Sequence, residues 1–153
     1  MEDLATITQP ESFTIQELSK QSGLSEPTLR YYEKIGLLQP VPRDPRSGHR
    51  RYPAHTVRVV NALSCLRASG LSIEDMRTYL RLLEKGPQGT AQQKELFQAH
   101  VVELERQIER LQLRKQYLEG KVAYCDALER GDMEAVQRII EENHRLAEKI
   151  ISG

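Results

Sequence analysis

The chemistry this chain concentrates is that of guanidinium forks and ammonium groups. Between Thr28 and Arg58 stand seven basic residues (Arg30, Lys34, Arg43, Arg46, Arg50, Arg51 and Arg58) against two acids, Glu33 and Asp44. The whole chain of 153 residues has a formal net charge of zero, so only the local excess points to a polyanion. Arg30 has the planar fork that bonds a guanine edge or clamps a phosphate. Ser25, Thr28 and Tyr31 have the reach for backbone oxygens of a duplex, and Lys34, Arg50, Arg51 and Tyr52 for flanking phosphates. Arg43, Arg46, His49 and Arg58 are secondary candidates. The competing reading is a solvated charged face for the cations and core packing for the tyrosines. Spacing assigns Tyr32 to the core and Tyr31 to the outer face.

The second chemistry is sulfur. Cys65 and Cys125 are the only cysteines, and in a reducing compartment such a distant pair reads as free thiols. Cys65, flanked at helical spacing by Ala62 and Ala68, is either a small core residue or a reactive sensor. Cys125 reads as a filler of an apolar seam, or more weakly as a second sensor thiol. A cage for a soft cation is incomplete, because Lys85-Gly86 precedes the long C-terminal helical pattern and no cysteine follows Cys125. His100 and His144 are isolated on polar patterns. No catalytic residues, metal ligands or cofactor site emerge: the chain lacks a Gly-rich phosphate loop, HExxH, GxSxG and paired carboxylates. It reads as a non-enzyme.

The elements that must position these groups are helical. Thr14 with Glu17 forms a capping-box pattern before a short helix ending at Gly23. Ser25 caps a second helix, with Pro27 in its first turn, that runs to about Ile35. Leu37 to Tyr52 holds three prolines and a Ser47-Gly48 turn between basic flanks, which predicts a two-stranded wing. Helices follow over 54–68 and 73–84, the latter capped by Ser72 with Asp75. Residues 1–12 read as a disordered tail, 13–84 as the DNA-binding domain, and 85–90, containing Gly86-Pro87-Gln88-Gly89, as a linker. Over 91–128, Phe97, Val101, Leu104, Ile108, Leu111, Lys115, Leu118, Val122 and Cys125 recur at alternating spacings of four and three. That 3.5-residue period is a coiled-coil seam, and one stripe on one helix needs a partner. The short helix within 129–153 is too short to cover it, so a second copy is the expected partner. Tyr117 and Tyr124 either pack or line a site for a small apolar ligand between the two C-terminal helices. The N-terminus lacks the apolar stretch of a signal peptide and no run is long enough to span a bilayer, so a cytoplasmic protein without membrane contact is expected.

The order helix, turn, helix, wing, two helices and a long seam helix resembles the MerR family of bacterial transcription regulators. The resemblance rests on Thr28-Leu29-Arg30-Tyr31-Tyr32-Glu33, Gly36-Leu37-Leu38, Arg50-Arg51-Tyr52 and Gly70-Leu71-Ser72-Ile73. It implies an all-α fold with a small β wing: a winged helix-turn-helix domain, a long dimerisation helix and a short C-terminal helix. It further implies a homodimer on a pseudo-palindrome in double-stranded promoter DNA. Such a dimer distorts the spacer for RNA polymerase when a signal arrives. Cys65 resembles the single thiol of the aldehyde- and nitrosative-stress branch, which makes a stress-responsive activator the expected role. Metal-ion sensing or small-apolar-ligand sensing is the alternative within the family, and a coiled-coil adaptor is the alternative outside it.

Overall fold

A computed structural model describes residues 12–153. Most of the expected tail lies outside the described residues. Ser12 does not, and it belongs to a strand. The elements are β1 (Ser12–Phe13), α1 (Ile15–Ser22), α2 (Glu26–Lys34), β2 (Tyr52–Pro53), α3 (Ala54–Ala68) and α4 (Ile73–Glu84). After a 3-10 turn at Gly86–Gly89 come α5 (Thr90–Arg130) and α6 (Met133–Ser152). The fold is thus mostly helical with one small sheet. It forms two compact units, the first ending at Leu96 and the second running from Phe97 to Gly153.

In the first unit side-chain caps start α1, α2 and α4 where the sequence says they should. Thr14 Oγ1 accepts from the Glu17 amide at 3.2 Å while the Glu17 carboxylate accepts from the Thr14 amide at 2.7 Å. Those bonds, the backbone one foremost, hold the Glu17 carboxyl below its ordinary range. Between α1 and α2 the chain turns at Gly23 with φ 72°, a left-handed conformation an L side chain resists. The turn is then stitched down: Ser19 Oγ donates to the Leu24 carbonyl at 2.7 Å, and Ser64 of α3 donates to the Ser22 carbonyl. Leu18, Leu29, Val60, Leu63 and Met76 are fully buried between the four helices. Burying such side chains contributes about 1.5–3 kcal/mol each, which fixes the angle at which α2 leaves the body.

The expected wing forms as a short hairpin: within Leu37–Tyr52, Arg43 bridges antiparallel to Arg50, and the Asp44 and Arg51 amides donate to the His49 and Pro42 carbonyls, both at 2.8 Å. The two-stranded sheet pairs β1 with β2 antiparallel, Phe13 opposite Tyr52. Prolines at 40, 42 and 45 remove ladder donors from the first half of the segment, so a longer ladder cannot form there. The Gly86–Gly89 stretch is a packed turn: a Cβ on Gly89 would run into the Leu82 carbonyl of α4.

In the second unit α6 lies on α5 through Ala127, Ala135 and Val136, with Tyr124 and Ile139 against them. Gly120 is what lets the two helices close, since a Cβ there would strike the Asn143 side chain. Gly120→Ala therefore sets a helix-propensity gain of about 1 kcal/mol against overpacking of about 1–3 kcal/mol. Net destabilisation is expected in urea melts, and adding Asn143→Ala should recover part of it. A single variant as stable as wild type would refute the close approach.

Candidate nucleic-acid interface

Ser25, Thr28, Arg30, Tyr31 and Lys34 lie on one short helix. Ser25 caps α2, accepting from the Thr28 amide at 3.2 Å, and its hydroxyl also meets the Thr28 hydroxyl at 2.8 Å. Both hydroxyls therefore stand together at the helix N-terminus, where backbone amides favour a phosphate. Arg30 is half exposed and pairs with Glu26 one turn back at 3.3 Å, a surface contact worth little. Tyr31 is 48% exposed while Tyr32 is buried and Lys34 is exposed, which is the division expected from spacing.

Glu33 is what joins the wing to this helix. One carboxylate oxygen accepts from Arg50 Nε at 2.8 Å, and the other accepts from the Tyr52 hydroxyl at 2.8 Å. Arg50 thus spends one donor on Glu33 and keeps its remaining N–H groups. Arg51 is held by Ser12, its Nε donating to the hydroxyl at 3.1 Å. The Tyr52 expectation is corrected: the residue is 0% exposed and its hydroxyl is engaged, so it braces the wing base and offers nothing to a phosphate. Burial, then the bond to Glu33, pushes this hydroxyl well above the usual tyrosine range. A group whose folded pKa is raised stabilises fully below its unfolded value, near 10, and loses that contribution as pH climbs past it. Unfolding free energy should therefore fall by about 1.4 kcal/mol per pH unit more steeply in wild type than in Tyr52→Phe once pH exceeds about 10. Parallel slopes for the two proteins would count against the buried hydroxyl.

The wing tip is built by a residue that mattered in the sequence only as a counted charge. Asp44 accepts from the Arg46 amide at 2.8 Å and the Ser47 amide at 2.9 Å, and its own carbonyl accepts from Gly48 at 2.8 Å. Arg43 closes the loop by donating to the Gly48 carbonyl at 3.0 Å. The two amide bonds, Ser47 first, hold the Asp44 carboxyl below its ordinary range. The turn should accordingly be fully ordered above about pH 4 and loosen as pH falls through the lowered value. Amide shifts of Arg46 and Ser47 in an NMR titration would follow this, and flat shifts would contradict it. An Asp-Pro-x-Ser-Gly run is the sequence signal that could have revealed the turn. Arg46 and His49 are exposed on this tip, whereas Arg58 lines a separate recess with Phe13, Glu17 and Gln21.

Cys65 and Cys125 are both exposed, so neither is a core filler of this chain. The seam is equally open: Val101, Leu104, Ile108, Leu111, Leu118 and Val122 are all exposed, Val122 at 63%. At about 100° per residue, Gly120, Tyr124 and Ala127 point roughly opposite to Leu118, Val122 and Cys125. α6 thus covers the far side of α5 and leaves the stripe bare. Among the described residues no three His, Cys, Asp or Glu side chains gather as a metal site, and no helix is long and apolar enough to cross a membrane.

Comparison with known proteins places this geometry. Residues 13–83 match the model of the MerR HTH family regulatory protein, and residues 57–121 match a model described as MerR, DNA binding. The chain is 33% identical over 125 residues to the transcriptional regulator HmrR of Rhizobium leguminosarum bv. viciae, covering 82% of this chain and 95% of that one. It is 31% identical over 125 residues to heavy metal-dependent transcription regulator 2 of Rhizobium meliloti (strain 1021), covering 82% and 84%. The crystal structure of HiNmlR, a MerR family regulator lacking the sensor domain, bound to promoter DNA, superposes with TM-score 0.64 at 29% identity, covering 82% and 95%.

Proposed function

The chain belongs to the MerR family of DNA-binding transcriptional regulators, and from that premise we propose that it acts as a cytoplasmic homodimer on a pseudo-palindrome in a promoter spacer. Residues 13–84 form the DNA-binding domain, 91–128 the pairing helix and 129–153 a short C-terminal region, with 85–90 between the first two. α2 enters the major groove, where Ser25, Thr28, Arg30, Tyr31 and Lys34 meet bases and backbone. Arg50 and Arg51 take flanking phosphates. The observation that carries this reading is the Glu33 bridge, which ties Arg50 and, through Tyr52, the wing base to the recognition helix. Pairing along the seam supplies the second head, and two heads at fixed spacing select a two-fold site. Activation at the promoter with RNA polymerase requires the dimer to distort the spacer, at a cost of order 1–6 kcal/mol for a smooth bend.

The signal in this reading is a reactive aldehyde or oxidant at Cys65, with Cys125 as a weaker second thiol. Its support is the exposure of both sulfurs and the resemblance of the segment around Cys65 to the thiol-responsive branch. Run-off transcription from a spacer promoter, with and without an aldehyde, tests it. Cys65→Ser should bind DNA normally and lose induction; induction preserved in that variant would remove the thiol. A second reading, metal-ion sensing, is favoured by the heavy metal-dependent regulator among the relatives. Titration of the purified dimer with Zn²⁺ and Cu⁺ decides between them.

A further inference from the structure

Between α5 and α6, inside the second unit, lies a cleft of about 350 Å³ lined by Tyr117, Lys121, Tyr124, Ile139, Ile140 and Asn143, with His144 and Ala147 at its edge. A space of this size is at the lower bound of ligand pockets, and its make-up is theirs: apolar and aromatic walls with a few convergent polar groups. Two observations separate it from a packing fault. Asn143 is 9% exposed, and its side-chain amide opens onto the cleft. An amide facing such a space offers both donors and an acceptor to a bound molecule. Lys121 also lines the cleft, its ammonium 5.4 Å from the centre of the Tyr117 ring, so a cation stands over an aromatic floor. The neighbouring acid, Glu148, is taken up by His144 at 3.4 Å.

We propose that this cleft binds a small aromatic monocarboxylate, its ring between Tyr124 and the isoleucines and its carboxylate received by Lys121 and Asn143. The ring replaces water on apolar walls, and the carboxylate takes the place of water on the amide and the ammonium with charge-assisted bonds. This refines the small-apolar-ligand alternative by adding a charge requirement. Binding itself is independent of the DNA-binding reading. Its use as a signal does rest on that reading, because α5 carries the pairing seam.

The test uses the full chain without DNA, methyl-labelled at isoleucine, with 2-naphthoate and its neutral analogue 2-naphthamide as probes. The expected result is saturable shifts at Ile139 and Ile140 with the acid and at least tenfold weaker binding of the amide. Lys121→Met, at an exposed position, should weaken the acid at least tenfold and leave the amide unchanged. Asn143→Leu should weaken the acid as well, and if it unfolds α6, Lys121→Met decides alone. Absence of saturable shifts at millimolar acid, equal affinity for acid and amide, or indifference to Lys121→Met would each overturn the proposal. Failure of operator binding would leave these readouts untouched.

Discussion

Ile108→Glu combined with Leu111→Glu is expected to yield a monomer in sedimentation, with helicity unchanged and specific operator binding abolished. Both side chains are exposed in the isolated chain and stand one step apart on the bare stripe of α5. Burying each against a second copy is worth about 1.5–3 kcal/mol, and a dimer contains four such positions. The loss is therefore of order 6 kcal/mol even at the low end, roughly four decades in the dimer dissociation constant. Glutamate is a good helix former, so circular dichroism should not move. A monomer carries one basic head, and what remains is salt-sensitive non-specific binding, of order 10⁻⁴–10⁻⁶ M. A double variant that stays dimeric would show that the stripe is not the pairing surface. The same substitutions lie well away from the α6 face, so loss of α6 packing cannot mimic the result.

Glu33→Ala is expected to weaken specific operator binding at least tenfold even though it removes a negative charge beside the DNA. Two effects oppose each other here. Deleting an anion near phosphates favours binding by about 1 kcal/mol for a pair about 4 Å apart in water, and less in salt. Against this, Arg50 Nε and the buried Tyr52 hydroxyl both lose their acceptor. Hydrogen bonds to a charged group are worth about 1.5–3 kcal/mol each, so the wing base gives way first. Thermal stability should fall by on the order of 10 °C for a unit of this size. The discriminating readout is the pair of affinities: specific binding down, non-specific binding unchanged or up. If both rise, Glu33 is only a repulsive charge and the wing does not depend on it. Glu33→Gln sharpens the test, since its amide keeps an oxygen for Tyr52 but sets an NH2 donor against the Arg50 Nε–H.

These two residues show where reading the chain succeeds and where it stops. The stripe on α5 needed no coordinates, because a period of 3.5 over nine positions is a property of order along the chain. The helix caps at Thr14, Ser25 and Ser72 were legible for the same reason: the groups that satisfy a first turn sit within three residues of it. The MerR-type helix-turn-helix followed from local signals of this kind.

Glu33 was different. Its partners are 17 and 19 positions away, and it sat in the sequence as one of two acids among seven cations. Whether such an acid is a stray countercharge or the keystone of a wing depends on which turn brings Arg50 back beside α2. No local pattern encodes that. Tyr52 failed for the same cause: a tyrosine after two arginines looks like a phosphate ligand until the strand beside Phe13 turns it inward. The wing hairpin was legible, but its pairing partner at the base was not, because three prolines and a glycine announce turns without saying that β1 then pairs with β2. Gly120, which by residue type only weakens a helix, is a point of close approach to α6, and its meaning lies in Asn143 across the gap. Near-neighbour chemistry set the helices, their ends and the bare seam. Contacts between segments far apart in the chain, formed only as the core closes, set which charged groups are held, which remain free for DNA, and where a cleft is left between α5 and α6.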